Sequence, residues 1–121
     1  MVEITDFIGK TFAEITGATK GSESILFSGP ECSYRMLHWQ NCCEHVFLED
    51  VVGDVADLIG TPIVEAYEAS SDGTETMPED YDESFTWTFY RLRTIKGTVT
   101  LRWFGSSNGY YSESVDIEVV E

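Results

Sequence analysis

Hydrophobic and polar residues alternate along much of this chain. That period of two sets one face of a strand against a core and the other against water. The clearest run is Phe85-Thr86-Trp87-Thr88-Phe89-Tyr90, with aromatics at alternate positions and threonines between them, residue types that suit a half-buried pleated surface. Lys96-Gly97 signals a tight turn, after which Val99, Leu101 and Trp103 alternate with Thr100 and Arg102. Val115, Ile117 and Val119 alternate with Asp116 and Glu118. These runs predict a meander of strands, each with one buried and one wet face. Upstream, Ile25-Leu26-Phe27 and Tyr34 to Trp39 predict a short hairpin about Ser28-Gly29-Pro30-Glu31. His45 to Val52, rich in Val, Leu and Phe, predicts a further strand.

Helix is scarce. Asp54 to Ile59 has room for about two helical turns, with an acid at its start and Gly60 as its stop. The predicted fold class is therefore α+β, mostly antiparallel β-sheet with one or two short helices. Residues 70–83 form a polar, acidic loop long enough to suggest a role of its own. An internal echo points to two similar halves within one domain, 1–53 and 54–121. Asp6-Phe7-Ile8-Gly9 precedes Glu14 as Asp57-Leu58-Ile59-Gly60 precedes Glu65, and Arg35 to His38 aligns with Thr100 to Trp103. The connections 39–45 and 104–113 then fall at equivalent ends of two hairpins.

A length of 121 residues, 42% of them hydrophobic, suits one domain with one core and argues against global disorder. No apolar run approaches the roughly 20 residues of a membrane span, and Met1 to Asp6 lacks the features of a secretory leader. The odd count of three cysteines (Cys32, Cys42, Cys43) does not fit a secreted disulfide framework; reduced thiols in a host cell's cytoplasm are expected.

Charge changes the picture most. The formal net charge is −15, and no base lies between Arg35 and Arg91, a window that holds thirteen acids. Such a field repels nucleic acid and anionic membranes and attracts basic partners. The acids expected to form a partner-binding surface are Glu44, Glu49, Asp50, Asp54, Asp57, Asp72, Glu75, Glu79, Asp80, Asp82 and Glu83. Acidity also serves plain solubility, and this bland reading competes with the functional one.

Reactive residue types are densest in His38-Trp39-Gln40-Asn41-Cys42-Cys43-Glu44-His45. His38, Cys42, Cys43 and His45 are candidate metal ligands, yet the spacing fits no standard zinc site and adjacent cysteines in a strand face opposite ways. Nucleophilic thiol chemistry needs a stabilised thiolate, which the nearby Glu44, Glu49 and Asp50 disfavour. No cofactor is implied. A second stretch, Phe104 to Glu113, carries an Asn108-Gly109 turn signal with flanking hydroxyls and two tyrosines. With His38, Gln40, Arg91, Arg93, Arg102, Asn108, Tyr110 and Tyr111 it suggests a basic, aromatic pocket for a small nucleotide or phosphate. Pairing of those arginines with surface acids is the competing reading.

Several of these stretches together are similar to a family of small phage and prophage proteins of unknown function. The resemblance rests on His38 to Glu44, Glu49 to Asp54 with Asp57 to Gly60, Thr86 to Tyr90, Arg102 to Gly105, and Ser107 to Glu113. The family pattern has Asp at Asn41 and Tyr at Phe104. The resemblance implies a phage origin and an accessory role, and no reaction.

Three functions follow in order. The first is a phage-encoded binding protein, not an enzyme, that inhibits a host defence protein through a nucleic-acid-mimicking acidic surface; anti-CRISPR proteins and other small acidic phage inhibitors share this size and charge. The second is a sequestering protein for a small signalling nucleotide. The third is a metal- or thiol-dependent enzyme.

Overall fold

The computed structural model describes residues 2–30, 32–39, 44–71, 84–107 and 114–120. Within them the protein is mainly β, and the only helical elements among them are two four-residue 3-10 turns, Ile4–Phe7 and Val55–Leu58. The expected helix at Asp54 to Ile59 is the second of these. The Asp54 carboxylate accepts from the Ala56 N–H at 3.0 Å, but Ile59 is already extended and Gly60 follows at φ +86°, so no α-helical turn can propagate.

Among the described residues, eight strands form two four-stranded antiparallel sheets. The first contains β1 (Glu14–Thr16), β2 (Ser24–Ser28), β3 (Ser33–Leu37) and β8 (Asp116–Val120), in the order β1-β2-β3-β8. The second contains β4 (His45–Val52), β5 (Glu65–Ser71), β6 (Ser84–Thr94) and β7 (Gly97–Ser107), in the order β4-β7-β6-β5. The β2–β3 and β6–β7 hairpins form where the alternation places them, with Phe27 opposite Tyr34 and Thr94 opposite Gly97. The expected continuation of the meander into β8 does not form. β8 crosses to pair with β3, and β4 takes the place beside β7. Alternation specifies which face of a strand is buried, not which neighbour it pairs with.

Each sheet thus consists of a three-stranded meander plus the last strand of the other half. The two Asp-x-Ile-Gly segments lie at matching places and join the halves. Gly9 N–H donates to Ile63 O at 2.7 Å, and Gly60 N–H donates to Phe12 O at 2.9 Å; Gly9 and Gly60, like Phe12 and Ile63, are 51 positions apart. Both glycines sit at positive φ, +88° and +86°, a backbone region that L side chains rarely adopt.

One core lies between the sheets. Ile25, Phe27, Tyr34 and Met36 come from the first, and Leu48, Tyr90, Leu92 and Trp103 from the second. Phe7 and Phe12 close one end, with ring centroids 5.3 Å apart, and Phe7 meets Phe27 edge-on at 5.0 Å, arrangements that aromatic quadrupoles favour.

Candidate functional site

β4 begins at His45, so Glu44 stands just before it; Glu44 is not part of any acidic surface. Its side chain is fully buried, and its Oε2 lies 2.8 Å from His38 Nε2, itself 3% exposed. His38 Nδ1 lies 2.7 Å from the carbonyl oxygen of Ser114. A carbonyl only accepts, so Nδ1 carries a proton, and a second proton must sit in the Nε2–Oε2 contact. Both ring nitrogens are therefore engaged. This buried pair ties the end of β3 to the starts of β4 and β8, and both halves to each other.

The remaining acids of the base-free window divide. Arg102 reaches over from β7 to Glu49 Oε2, 2.7 Å from its Nε and 2.5 Å from its terminal nitrogen, and to Asp50 at 3.7 Å. Asp54 caps the second 3-10 turn. The backbone carbonyl of Asp57, in the same turn, accepts from the Thr94 hydroxyl. Asp72, Glu75, Glu79, Asp80, Asp82 and Glu83 lie outside the described residues.

The basic, aromatic pocket does not assemble from its described members. Arg91 donates to the Tyr67 hydroxyl at 3.0 Å and Arg93 pairs with Glu65 at 3.1 Å, both across the β5–β6 ladder. Arg102 also stacks over the Trp87 ring, 5.3 Å from its centroid. Trp87 lies 4.8 Å from Phe104, which lies 5.9 Å from Phe47. These residues share the outer face of the second sheet, whereas His38 is sealed inside. Gln40, Asn108, Tyr110 and Tyr111 lie outside the described residues, as do Cys42 and Cys43. Of the other candidate ligands, His45 is 60% exposed, 3.7 Å from Glu23 and stacked on Phe47, while His38 points into the core. Among the described residues no group of three or more His, Cys, Asp or Glu side chains could hold a metal ion, and no helix there is long and apolar enough to cross a membrane.

Sequence reasoning missed a cavity of about 580 Å³ between the outer edges of β5 and β8, beside the first 3-10 turn. Its wall carries Glu3, Glu68 and Asp116, two of which lie outside the acidic window. Tyr90 lies in its floor and donates through its hydroxyl to Val115 O at 3.4 Å. Burial pushes the Tyr90 hydroxyl pKa far above its ordinary value, and the Glu68 carboxylate beside it adds to the rise. The cavity is thus apolar in its depth and anionic at its rim, fit to receive a cation with an aliphatic stem. The only hint in the sequence is that Tyr90 continues the buried side of a strand otherwise built from Thr88 and Leu92.

Among curated proteins and among solved structures, no match was found. A family model covers residues 5–117, which include β1 to β7, the second 3-10 turn and the start of β8, and on that match this chain belongs to the family described as domain of unknown function (DUF7448).

Proposed function

We propose that this domain is a non-catalytic binding module that engages a basic protein partner. The observation that carries this reading is the net charge of −15. The chain has seven Lys and Arg residues. Arg35, Arg93 and Arg102 are tied up in ion pairs with Glu118, Glu65, Glu49 and Asp50. Arg91 is bonded to Tyr67, and Lys96 donates to the Ile59 carbonyl. The field of so large a net negative charge steers cationic surfaces inward.

The resemblance to phage proteins makes the partner a host protein in the cytoplasm, and a basic nucleic-acid channel of a defence protein is the surface this charge fits. The nucleotide reading lacks comparable support, since its three arginines already have partners. So does the enzyme reading, since His38 has no free nitrogen.

Immobilised protein incubated with extract of defence-carrying host cells should capture a basic protein at about 50 mM salt and release it at about 500 mM, where the Debye length falls to a few ångströms. Duplex DNA should compete with the capture. Capture that ignores both salt and DNA would sink the reading.

A further inference from the structure

β8 and β4 hold matching places in the two sheets, yet their outer edges differ. Leu48 of β4 faces Trp103. One step beyond the Leu37–Asp116 pair, Val115 faces His38, and His38 stands in the first meander where Trp103 stands in the second. Leu48 and Val115 are therefore counterparts. At Leu48 the β1–β2 loop lies along the strand as a further stretch of main chain. Gly21 N–H donates to Leu48 O at 2.7 Å and Leu48 N–H donates to Ser22 O at 2.7 Å. At Val115 the described residues supply only the Tyr90 hydroxyl, at 3.4 Å. Among the described residues no strand pairs with the outer edge of β8, and this open edge runs into the anionic cavity.

We infer that this cavity is a docking groove for an extended, basic segment of a partner protein, which pairs its main chain with the open edge of β8 and sets a lysine or arginine side chain among Glu3, Glu68, Asp116 and the Tyr90 hydroxyl. This deepens the proposed function and rests on its reading of a basic partner. Addition of a strand to a free sheet edge supplies main-chain bonds, and a side-chain pocket supplies selectivity. The molecule demonstrates the first part on itself: the loop on β4 makes the paired bonds that a guest strand would make on β8. Charge decides the second part. The three carboxylates exclude an acidic side chain, and the apolar floor matches the methylene stem of lysine or arginine. A small polyamine would satisfy the carboxylates but leave the strand edge unused.

The test is a titration of the ¹⁵N-labelled full chain with an alternating Lys-Thr decapeptide. Amide shifts should concentrate at Tyr67, Glu68 and Val115 to Ile117. Glu68→Gln should weaken binding about tenfold, the loss of one charge-assisted contact, with the melting temperature checked in parallel. The same peptide methylated on every main-chain amide nitrogen should bind at least about tenfold more weakly, because its main-chain donors are gone; this arm leaves the protein untouched. Shifts spread evenly over the surface, equal binding of the methylated peptide, or equal shifts with spermine would each overturn the inference. The two ideas separate cleanly. If the peptide fails to seat while salt-sensitive capture from extract persists, the groove falls and the basic-partner reading stands. If the peptide seats and capture fails, the reverse holds.

Discussion

The β4 edge and the β8 edge are the same place in a repeated topology, solved in two ways. Along β4, Gly17 turns the chain at φ +85°, the loop doubles back, and Gly21 and Ser22 close over Leu48, which is fully buried. Along β8 the matching strip opens onto a cavity, and Val119 on the same strand is 49% exposed. The position beneath each strip differs in kind. Glu14 faces Ser28 in the first half as Glu65 faces Arg93 in the second, and three residues back from each lie Ile25 and Tyr90. The sealed half has an aliphatic side chain there; the open half has a tyrosine whose hydroxyl points at the edge. One edge is finished for stability, and the other is left available, as edges that serve recognition must be.

The largest contrast should appear in truncations of the two counterparts. Leu48→Ala removes a buried side chain under a closed edge and should cost about 2–5 kcal/mol in urea unfolding. Val115→Ala, at the half-open edge, should cost about 1 kcal/mol or less. Equal losses at the two positions would erase the difference between the edges.

A smaller effect should follow from Gly17→Ala. The added Cβ would lie 2.3 Å from the Ser24 carbonyl oxygen at a backbone angle that favours glycine, so the loop must shift or strain. We expect a loss of about 1–3 kcal/mol. Amide exchange should quicken at Leu48, whose N–H loses its acceptor on Ser22, and stay unchanged at Ile117. Protection at Leu48 that survives the substitution would mean that the loop does not seal the edge.

The two edges were not equally legible in the sequence. β6 and β7 announce themselves because they pack one face on the core: Tyr90 and Leu92, then Val99, Leu101 and Trp103, are all buried, with polar or half-buried residues between them. β1 and β5 give no such signal. Ile15 is the only residue of β1 that is not fully exposed, and Ala66 is the only buried residue described in β5, because both strands lie at sheet edges where alternation is not enforced. The two Asp-x-Ile-Gly segments were readable, since each sets a glycine at positive φ, Gly9 at +88° and Gly60 at +86°. The exchange of β4 and β8 was not, because pairing partners are set by tertiary contacts that no local pattern encodes. Glu44 misled for a related reason: its charge counts toward the acidic window, but its side chain is buried against His38, six positions earlier in the chain.

The smallest effect, and the one most specific to the open edge, concerns Tyr90. Tyr90→Phe keeps the ring in the core and removes only the hydroxyl that reaches Val115 O, so near pH 7 it should cost about 0.5–1.5 kcal/mol. At high pH the sign changes. The folded protein holds the Tyr90 proton well above the ordinary tyrosine value of 10.0, whereas the unfolded chain releases it near that value. Between those limits the native state binds more protons than the unfolded state, so its stability falls as pH rises past about 10. Tyr34, pushed up to about 12 chiefly by burial and then by its contact with Cys32, contributes a similar fall, but equally in both proteins. The phenylalanine variant lacks the Tyr90 share. The gap between wild type and variant, measured by urea unfolding at pH 7 and again at pH 11, should therefore shrink or reverse at the higher pH. A gap that stays constant would show that the Tyr90 hydroxyl is not held protonated against the open edge, and would leave the two halves of the repeat alike at this position.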